Sequence, residues 1–357
     1  MTKRNRFEQT LLDIENSGGF GVQRGFFVAF GDIKAGSGLA LGPVYGKTLS
    51  NGAVVQAKAL YSIRSFKAAQ VFVQAPPIAD GRVILNGRAR WQDAPTLAVY
   101  GLGTQSPETR ANYAETMTEV SGQALFRPVR FLRFGVGTGF ERFDTGPSSG
   151  KRFPSIEALF TPADQPGLGA DPDYVHSQVS AAIDSRTGPG FSRSGSYLGA
   201  TLHDYRQRNS GSYSFQRTDA TARQLIPILH GNWVIDLALR ASVTTADGGD
   251  TVPFFLMPSL GGGASLRGYG NYRFRDRNAL LFTGEYRWYA QEFVEMAMFY
   301  EAGKVTARRA DLDFDGLKSD FGIGFRIHGT QATFLRAELA RGREGLRFIL
   351  SFSPAIP

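Results

Sequence analysis

Residues 54–64 read VVQAKALYSIR, and this stretch contains the pattern on which the fold depends. One side of an extended chain would carry Val55, Ala57, Ala59, Tyr61 and Ile63. The other side would carry polar residues such as Gln56, Lys58 and Arg64. Successive side chains of a β-strand point to opposite faces, so this period-two alternation predicts a strand with one apolar and one polar face.

The same alternation returns along the chain, interrupted by Gly, Pro, Asp or Asn. It is clear in 83–91 (VILNGRARW), 233–242 (WVIDLALRAS), 320–328 (DFGIGFRIH) and 333–340 (TFLRAELA). Strands of this kind are expected to begin near Gly38, Val54, Ala68, Arg82, Ala111, Leu132, Tyr174, Ser196, Tyr213, Trp233, Val252, Arg275, Phe293, Asp320, Thr333 and Leu346. Roughly sixteen strands, an even number, is typical of a single-chain barrel of the bacterial outer membrane.

Two features favour a barrel with a wet lumen over a soluble β-sandwich. The polar faces carry charges of both signs at mid-strand, which a dry core does not tolerate without partners. Aromatic residues lie near the ends of the apolar faces, as in the interfacial girdles of membrane proteins: Tyr61, Trp91, Trp233, Tyr286 and Trp288. We therefore predict an all-β fold, a transmembrane antiparallel β-barrel.

Composition narrows the range of functions. The 357 residues contain no cysteine, which excludes a disulfide framework and thiolate metal sites. The net charge is +8, and a basic chain favours anionic lipid, acidic solutes or nucleic acid. The positive residues are scattered at nearly strand spacing, which favours a charged lumen and charged loops over a dedicated anion site. No nucleic-acid-binding motif and no small-molecule cofactor motif is recognisable, so neither kind of partner is expected.

The chain divides into a short N-terminal segment and a barrel. Residues 1–33 are predicted to be periplasmic, with an amphipathic helix over Arg6–Asn16, and residues 34–357 to form the barrel. Residues 1–19 lack the apolar core of a signal peptide, so an export signal is expected upstream of this sequence. Gly-, Pro- and Asp-rich stretches predict long loops at Thr145–Asp173 and Leu260–Arg273.

One region, residues 252–288 (VPFFLMPSLGGGASLRGYGNYRFRDRNALLFTGEYRW), resembles the BamA/TamA superfamily of outer-membrane barrels, also called the bacterial surface antigen family. In that family an Arg-Gly-aromatic tip on the sixth extracellular loop folds back into the barrel. Here the tip is Arg267, Gly268 and Tyr269. The resemblance implies that Arg267 meets an acidic residue of a following strand, which here is Glu301, with Gly303 in the same motif. The family has Asp at that position, so the carboxylate arm is longer in this chain.

Further residues belong to the same resemblance. The supporting motif comprises Gly261, Gly262, Arg273, Phe274, Arg275, Glu285 and Arg287, and a C-terminal strand signal comprises Gly345, Phe348 and Leu350. The chain continues past Phe352 to Ser-Pro-Ala-Ile-Pro, whereas the family pattern ends on its last aromatic residue. Members of the family carry periplasmic POTRA domains before the barrel, and too few residues precede the first predicted strand here to form one. The chain is therefore expected to be either a member without POTRA domains or the barrel portion of a longer protein.

Several other patterns are better explained by structure than by chemistry. Asp311, Asp313, Asp315 and Gly316 begin like a calcium loop, but the twelfth position is Gly322, so an acidic turn is favoured. The four histidines, His176, His203, His230 and His328, show no metal-ligand spacing. No nucleophile–base arrangement is recognisable either. We therefore expect neither a bound metal nor an enzyme.

The resemblance implies a protein of the bacterial outer membrane that assembles, inserts or translocates outer-membrane proteins. Its partners would be outer-membrane lipid and lipopolysaccharide, and either unfolded outer-membrane proteins or one exported protein. In the family the first and last strands meet weakly. The predicted first strand, GSGLALGPVYG, contains Gly and a Pro that would weaken this seam, although a twisted strand near a turn explains them equally well. A plugged passive pore and a two-partner-type secretion channel are the alternatives.

Overall fold

The structure is a computed structural model that describes residues 25–187, 192–229, 232–291, 293–328 and 333–352. Nearly all of the regular structure in this part of the chain is β-strand. The strands are β1 (Gly25–Gly31), β2 (Ala40–Thr48), β3 (Val54–Ser62), β4 (Lys67–Gln74), β5 (Val83–Val99), β6 (Ala111–Phe126), β7 (Leu132–Pro147), β8 (Asp173–Asp184), β9 (Gly195–Gln207), β10 (Phe215–Ile228), β11 (Trp233–Ala246), β12 (Ser259–Leu260), β13 (Phe274–Arg275), β14 (Asn278–Gln291), β15 (Val294–Thr306), β16 (Lys318–His328), β17 (Thr333–Gly342) and β18 (Gly345–Phe352). Short 3-10 helices span Ile156–Ala158, Phe254–Leu256 and Arg309–Asp311. No helix among the described residues is long and apolar enough to cross a membrane.

Sixteen of the strands form one antiparallel sheet in which each strand pairs with its neighbours in the chain. The remaining two, β12 and β13, form a separate two-stranded ribbon within the connection from β11 to β14. The sheet curves until its first and last strands approach each other. Phe30 of β1 and Phe352 of β18 meet edge to face, with ring centroids 6.1 Å apart, but no ladder joins the described residues of these strands. The predicted all-β, sixteen-stranded antiparallel barrel is confirmed, and it is nearly closed.

The two faces of the sheet differ as the period-two pattern predicts. In β16, the outward side chains of Phe321 and Ile323 are 60% and 55% exposed, whereas the inward Asp320 and Arg326 are 1% and 9% exposed. Large exposed apolar side chains recur at alternate positions of most strands, as a lipid-facing surface requires. The inward charged side chains lie against one another and against the loop that connects β11 to β14.

The two ends of the barrel are unequal. At one end lie long connections, among them residues 100–110, 148–172 and 247–277, and at the other end most connections are short turns. Apolar side chains from the strand ends and these loops pack together at the long-loop end. Phe254, for example, meets the Tyr113 ring edge-on with centroids 4.9 Å apart. The expected loop over Thr145–Asp173 is therefore found, except for the residues that end β7 and begin β8.

Two sequence-based assignments were wrong. The strand predicted near Val252 is a loop with a 3-10 helix, because Pro253 and Pro258 interrupt its apolar run. The first strand is Gly25–Gly31 instead of the segment near Gly38, so the barrel sheet begins before the expected boundary at residue 34. Its sequence, GFFVAFG, is apolar on both faces and shows no alternation. One predicted strand is absent and one observed strand was not predicted, so the number of strands in the barrel sheet still agrees with the prediction. The helix predicted at Arg6–Asn16 lies outside the described residues.

Candidate functional site: the arginine loop and the lumenal charge cluster

The loop of residues 247–277, here called the arginine loop, is shaped by glycines at close contacts. Gly261 and Gly262 have φ values of +110° and +105°, a region that favours glycine. A Cβ on Gly261 would lie 2.2 Å from the backbone oxygen of Gly270. Gly303 of β15 presents a bare surface to the loop, because a Cβ there would lie 2.9 Å from Leu260 Cδ1. The loop can therefore pack directly on the wall formed by β15.

Arg267 lies at the tip of the arginine loop and is 2% exposed. Its Nη2 donates to Glu285 at 2.8 Å and its Nη1 to Glu338 at 2.8 Å. Its backbone N–H donates to Glu301 Oε2 at 2.9 Å. Its Nε lies 3.2 Å from the same oxygen, which is ion-pair distance without hydrogen-bond alignment. Arg267 thus reaches three carboxylates on three different strands.

One further contact, together with the surrounding carboxylates, favours the charged form of Arg267. The guanidinium carbon lies 3.4 Å from the centroid of the Phe299 ring, a close cation–π contact. Burial acts to lower the pKa of Arg267, but the surrounding carboxylates, Glu285 foremost, raise it above its ordinary value. The loop tip therefore carries a fixed positive charge.

The next two residues fasten the same tip to β16 and β17. The Gly268 N–H donates to Asp320 Oδ2 at 2.8 Å, and a Cβ on Gly268 would lie 2.4 Å from the backbone nitrogen of Gly342. Any larger residue would push the tip off the wall. The Tyr269 hydroxyl donates to the Ser319 carbonyl at 3.1 Å, and its ring is buried.

Behind Arg267 the strands contribute more charges, and together they form the lumenal charge cluster. Its members are Asp236, Arg267, Glu285, Arg287, Glu295, Glu301, Asp320, Arg326 and Glu338. Arg326 donates to Glu285, Glu295 and Glu338 at 2.9–3.2 Å, and Arg287 donates to Glu295 at 2.7 Å. Buried charges are tolerated only with such partners, so each strand's charge depends on those of its neighbours.

The sequence pattern had indicated only part of this cluster. Glu301, Glu285 and Arg287 were predicted as motif residues, whereas Arg326, Glu338 and Asp320 were predicted only to be on a polar face. The only indication of their role in the sequence was that they are charged and lie on the inward face of their strands. Nothing in the sequence indicated two of the contacts. Arg326, on β16, binds Glu285, which also binds the loop arginine. Glu338, on β17, accepts a hydrogen bond from the guanidinium of Arg267 at the loop tip.

Comparison with known proteins assigns the family. The model described as the Omp85 superfamily domain matches residues 81–340, which include most of the strands and the whole arginine loop. The chain belongs to the Omp85 superfamily. No curated protein sequence matches it significantly.

Solved structures with the same fold are distant in sequence. BamA from Haemophilus ducreyi lacking POTRA domains 1–3 is 15% identical, with a TM-score of 0.67 over 92% of this chain and 70% of that chain. CdiB from Acinetobacter baumannii is 13% identical with a TM-score of 0.54, covering 92% of this chain and 59% of that one. CdiB from Escherichia coli is 11% identical with a TM-score of 0.58, covering 92% and 60%. This Omp85 chain therefore spans about 60–70% of the length of these three chains.

The supporting motif residues of this Omp85 chain brace the base of the arginine loop. Arg273 donates to Glu344 at 2.7 Å and to the side chain and carbonyl of Ser106 at 2.9 and 3.0 Å. Phe274 is buried and meets the Tyr269 ring at 5.1 Å. The Arg275 guanidinium lies among aromatic rings, those of Tyr113, Phe254 and Tyr272, at 5.3–5.9 Å.

The C-terminal strand residues lie at the end of the sheet. Gly345 begins β18 with φ of +127° and faces Gly342 in the tight turn from β17. Phe348 and Leu350 point outward and are 68% and 48% exposed. They therefore belong to the exposed apolar outer surface next to the seam. Residues 353–357 lie outside the described part of the chain.

The remaining sequence signals have structural explanations. In the acidic turn, Asp313 pairs with Lys304 and Asp311 with Arg308. The described residues contain no group of three or more His, Asp or Glu side chains arranged so that they could hold a metal ion. The sequence spacing of the histidines did not indicate that two of them, His176 and His203, lie in contact on neighbouring strands.

His176 Nε2 and His203 Nδ1 are 3.0 Å apart, because β8 and β9 are adjacent. Glu141 contacts the other ring nitrogen of His176 at 2.7 Å, and Asp219 lies 3.3 Å from His203 Nε2. His230 lies outside the described residues.

Proposed function

We propose that this Omp85 barrel resides in the bacterial outer membrane and promotes the insertion of other outer-membrane proteins through the seam between β1 and β18. The observation that carries the proposal is the pair of facing strand edges that no ladder joins in the described residues. Unpaired edges present backbone N–H and C=O groups that an incoming strand can use by β-augmentation. The likeness to BamA in fold is consistent with this role but does not by itself assign it.

The strands next to the seam support an opening there. The described part of β1, Gly25–Gly31, has seven residues, fewer than any other strand of the sheet, and among the described strands it pairs with β2 alone. The sequence analysis had placed Pro43 in the first strand, but it lies in β2. The ladder from β2 to β3 is also interrupted at Gly42 and Pro43. A backbone hydrogen bond makes a net contribution of about 1 kcal/mol to stability. A strand with few such bonds, next to a strand whose own ladder is interrupted, is therefore weakly held in the sheet.

A disulfide across the seam tests the proposal. The chain contains no cysteine, so Phe30→Cys/Phe352→Cys introduces the only pair. The matched control, Leu339→Cys/Phe348→Cys, joins β17 to β18, which are already paired in this register. Both variants are placed in liposomes, an unfolded outer-membrane protein is added, and its folding is followed by the heat-sensitive gel shift of closed barrels. We expect oxidation to abolish acceleration in the seam variant and to leave the control unchanged.

The outcomes separate the alternatives. Acceleration that survives a fully oxidised seam contradicts insertion through β1 and β18. A folded, unlocked barrel that gives no acceleration over empty liposomes contradicts an insertion activity of this chain altogether, and the passive or secretion roles then take precedence.

A plugged translocation channel is the second candidate, and the contacts of Arg267 favour it. In this proposal the arginine loop lies inside the lumen and blocks it, held by Glu285, Glu301 and Glu338. Arg267→Ala is then expected to raise single-channel conductance in planar bilayers, whereas replacement of the exposed Arg277 by Ala is not. An unchanged closed state in both variants would contradict the plug, and co-purification of one exported protein would favour secretion.

A further inference from the structure

The long-loop end of the barrel contains a second charged region, distinct from the lumenal charge cluster. A cavity of about 680 Å³ opens there, bounded by the turns after β1, β3, β5, β7 and β17 and by the tip of the arginine loop. Five basic side chains line it, and we call it the basic mouth cavity: Arg64, Arg110, Lys151, Arg152 and Arg347. Such a volume is in the range of sites for small and medium-sized ligands.

The positive charge of the cavity is not balanced locally. Among the described residues two carboxylates line it, Glu108 and Glu344, and Glu344 is already bound by Arg273 at 2.7 Å. Within the part of the chain that the structure describes, none of the five basic side chains forms an ion pair. In the lumenal charge cluster, by contrast, every arginine has a carboxylate partner.

Several of these cations are held in place although they lack a counter-charge. Two guanidinium groups contact the Phe153 ring. The guanidinium carbon of Arg110 lies 4.2 Å from the ring centroid, and that of Arg152 lies 5.4 Å from it. Arg110 Nε donates to Asn112, and Arg64 Nη1 donates to the Gly36 carbonyl. Contacts that fix guanidinium groups before a ligand arrives reduce the entropy cost of binding.

Two features of these cations are unfavourable to the folded protein. Arg347 Nε is buried and has no hydrogen-bond partner among the described residues. Burial and the nearby charges of Arg64 and Arg152 lower the pKa of Arg110, against the influence of Tyr100. An anion in the cavity would relieve both costs.

We propose that the basic mouth cavity binds a multiply charged phosphate group. Guanidinium forks match the geometry of phosphate oxygens, and several on one cavity wall favour a group with more than one negative charge. The cavity touches both sides of the seam, through Ala35 and Gly36 after β1 and Leu346 and Arg347 in β18. A phosphate ligand bound there bridges the two ends of the sheet. This inference does not depend on insertion activity.

Pyrophosphate is the first probe, titrated by calorimetry into the folded full chain in a non-ionic detergent at low salt. We expect one saturable site, weakened at least about tenfold in Arg110→Gln/Arg347→Gln. The control Arg82→Gln/Arg130→Gln removes the same charge from turns at the opposite end of the barrel and is expected to bind within about twofold of the unaltered chain. The heat-sensitive gel shift verifies that each variant is folded.

A second arm distinguishes the source of the phosphate. The same proteins in zwitterionic nanodiscs are tested with a bisphosphorylated lipid and with its dephosphorylated form. Binding of the phosphorylated lipid alone, lost in Arg110→Gln/Arg347→Gln, identifies a lipid headgroup, and binding of pyrophosphate alone identifies a free anion. Three results would overturn the proposal. They are the absence of saturable binding, an equal loss of binding in both double variants, and tighter binding of an oligoglutamate peptide than of either phosphate probe.

Discussion

Replacing Arg267 by alanine should destabilise the barrel far more than an ordinary surface substitution. The guanidinium contacts Glu285, Glu301 and Glu338, all nearly inaccessible to solvent. Without it, Glu285 and Glu338 keep Arg326, but Glu301 has no remaining cation within ion-pair distance among the described residues. Removing one partner of a buried ion pair costs about 3–5 kcal/mol. The folded-to-unfolded ratio should therefore fall by roughly two to four orders of magnitude.

A second substitution isolates the cause of that loss. Arg267→Ala/Glu301→Gln removes the unpaired carboxylate as well, so it should be more stable than Arg267→Ala alone by about 1–3 kcal/mol. Arg277→Ala, on the same loop but exposed, should change stability by about 0.5 kcal/mol or less.

Denaturant unfolding in lipid vesicles measures these differences, with the three tryptophans as the fluorescence probe. A loss below about 1 kcal/mol for Arg267→Ala, or no recovery in the double variant, would refute the argument that Glu301 depends on this arginine.

Three further substitutions test other parts of the structure. Gly268→Ala places a Cβ 2.4 Å from the Gly342 nitrogen. It should therefore lower the free energy of unfolding by about 1–3 kcal/mol and make the loop more sensitive to protease. The control Gly146→Ala should do neither, because a Cβ there meets no atom within 4 Å. Tyr269→Phe removes a hydroxyl that donates to Ser319, and should cost about 1 kcal/mol in the same unfolding assay; no loss would show that the bond is not formed. Val120→Arg puts a charge on the outward face of β6 and should cost about 2–4 kcal/mol in vesicles, whereas Gln123→Arg, which faces the lumen, should cost much less; equal costs would contradict the assignment of the two faces.

The architecture was largely predictable because it depends on a short-range property of the chain. Segments such as 54–62 and 320–328 alternate regularly, and alternation alone indicates which side chains lie on the outer face of the sheet. The same reasoning failed at Gly25–Gly31, which is apolar on both faces, and near Val252, where an apolar run belongs to a loop packed on other loops. Periodicity cannot detect either case, because it reports contrast between two faces and not burial itself.

The candidate site shows the same division. The sequence by itself indicated the glycines of the arginine loop, its Arg-Gly-Tyr tip and the presence of an inward acid at Glu301. Only the tertiary structure decided that Arg267 also meets Glu285 and Glu338, and that His176 meets His203. These contacts join residues far apart in the chain, and their geometry depends on how the whole sheet curves and staggers as it closes. Local sequence fixes which face a side chain is on, whereas the closure of the barrel fixes which charges meet across it.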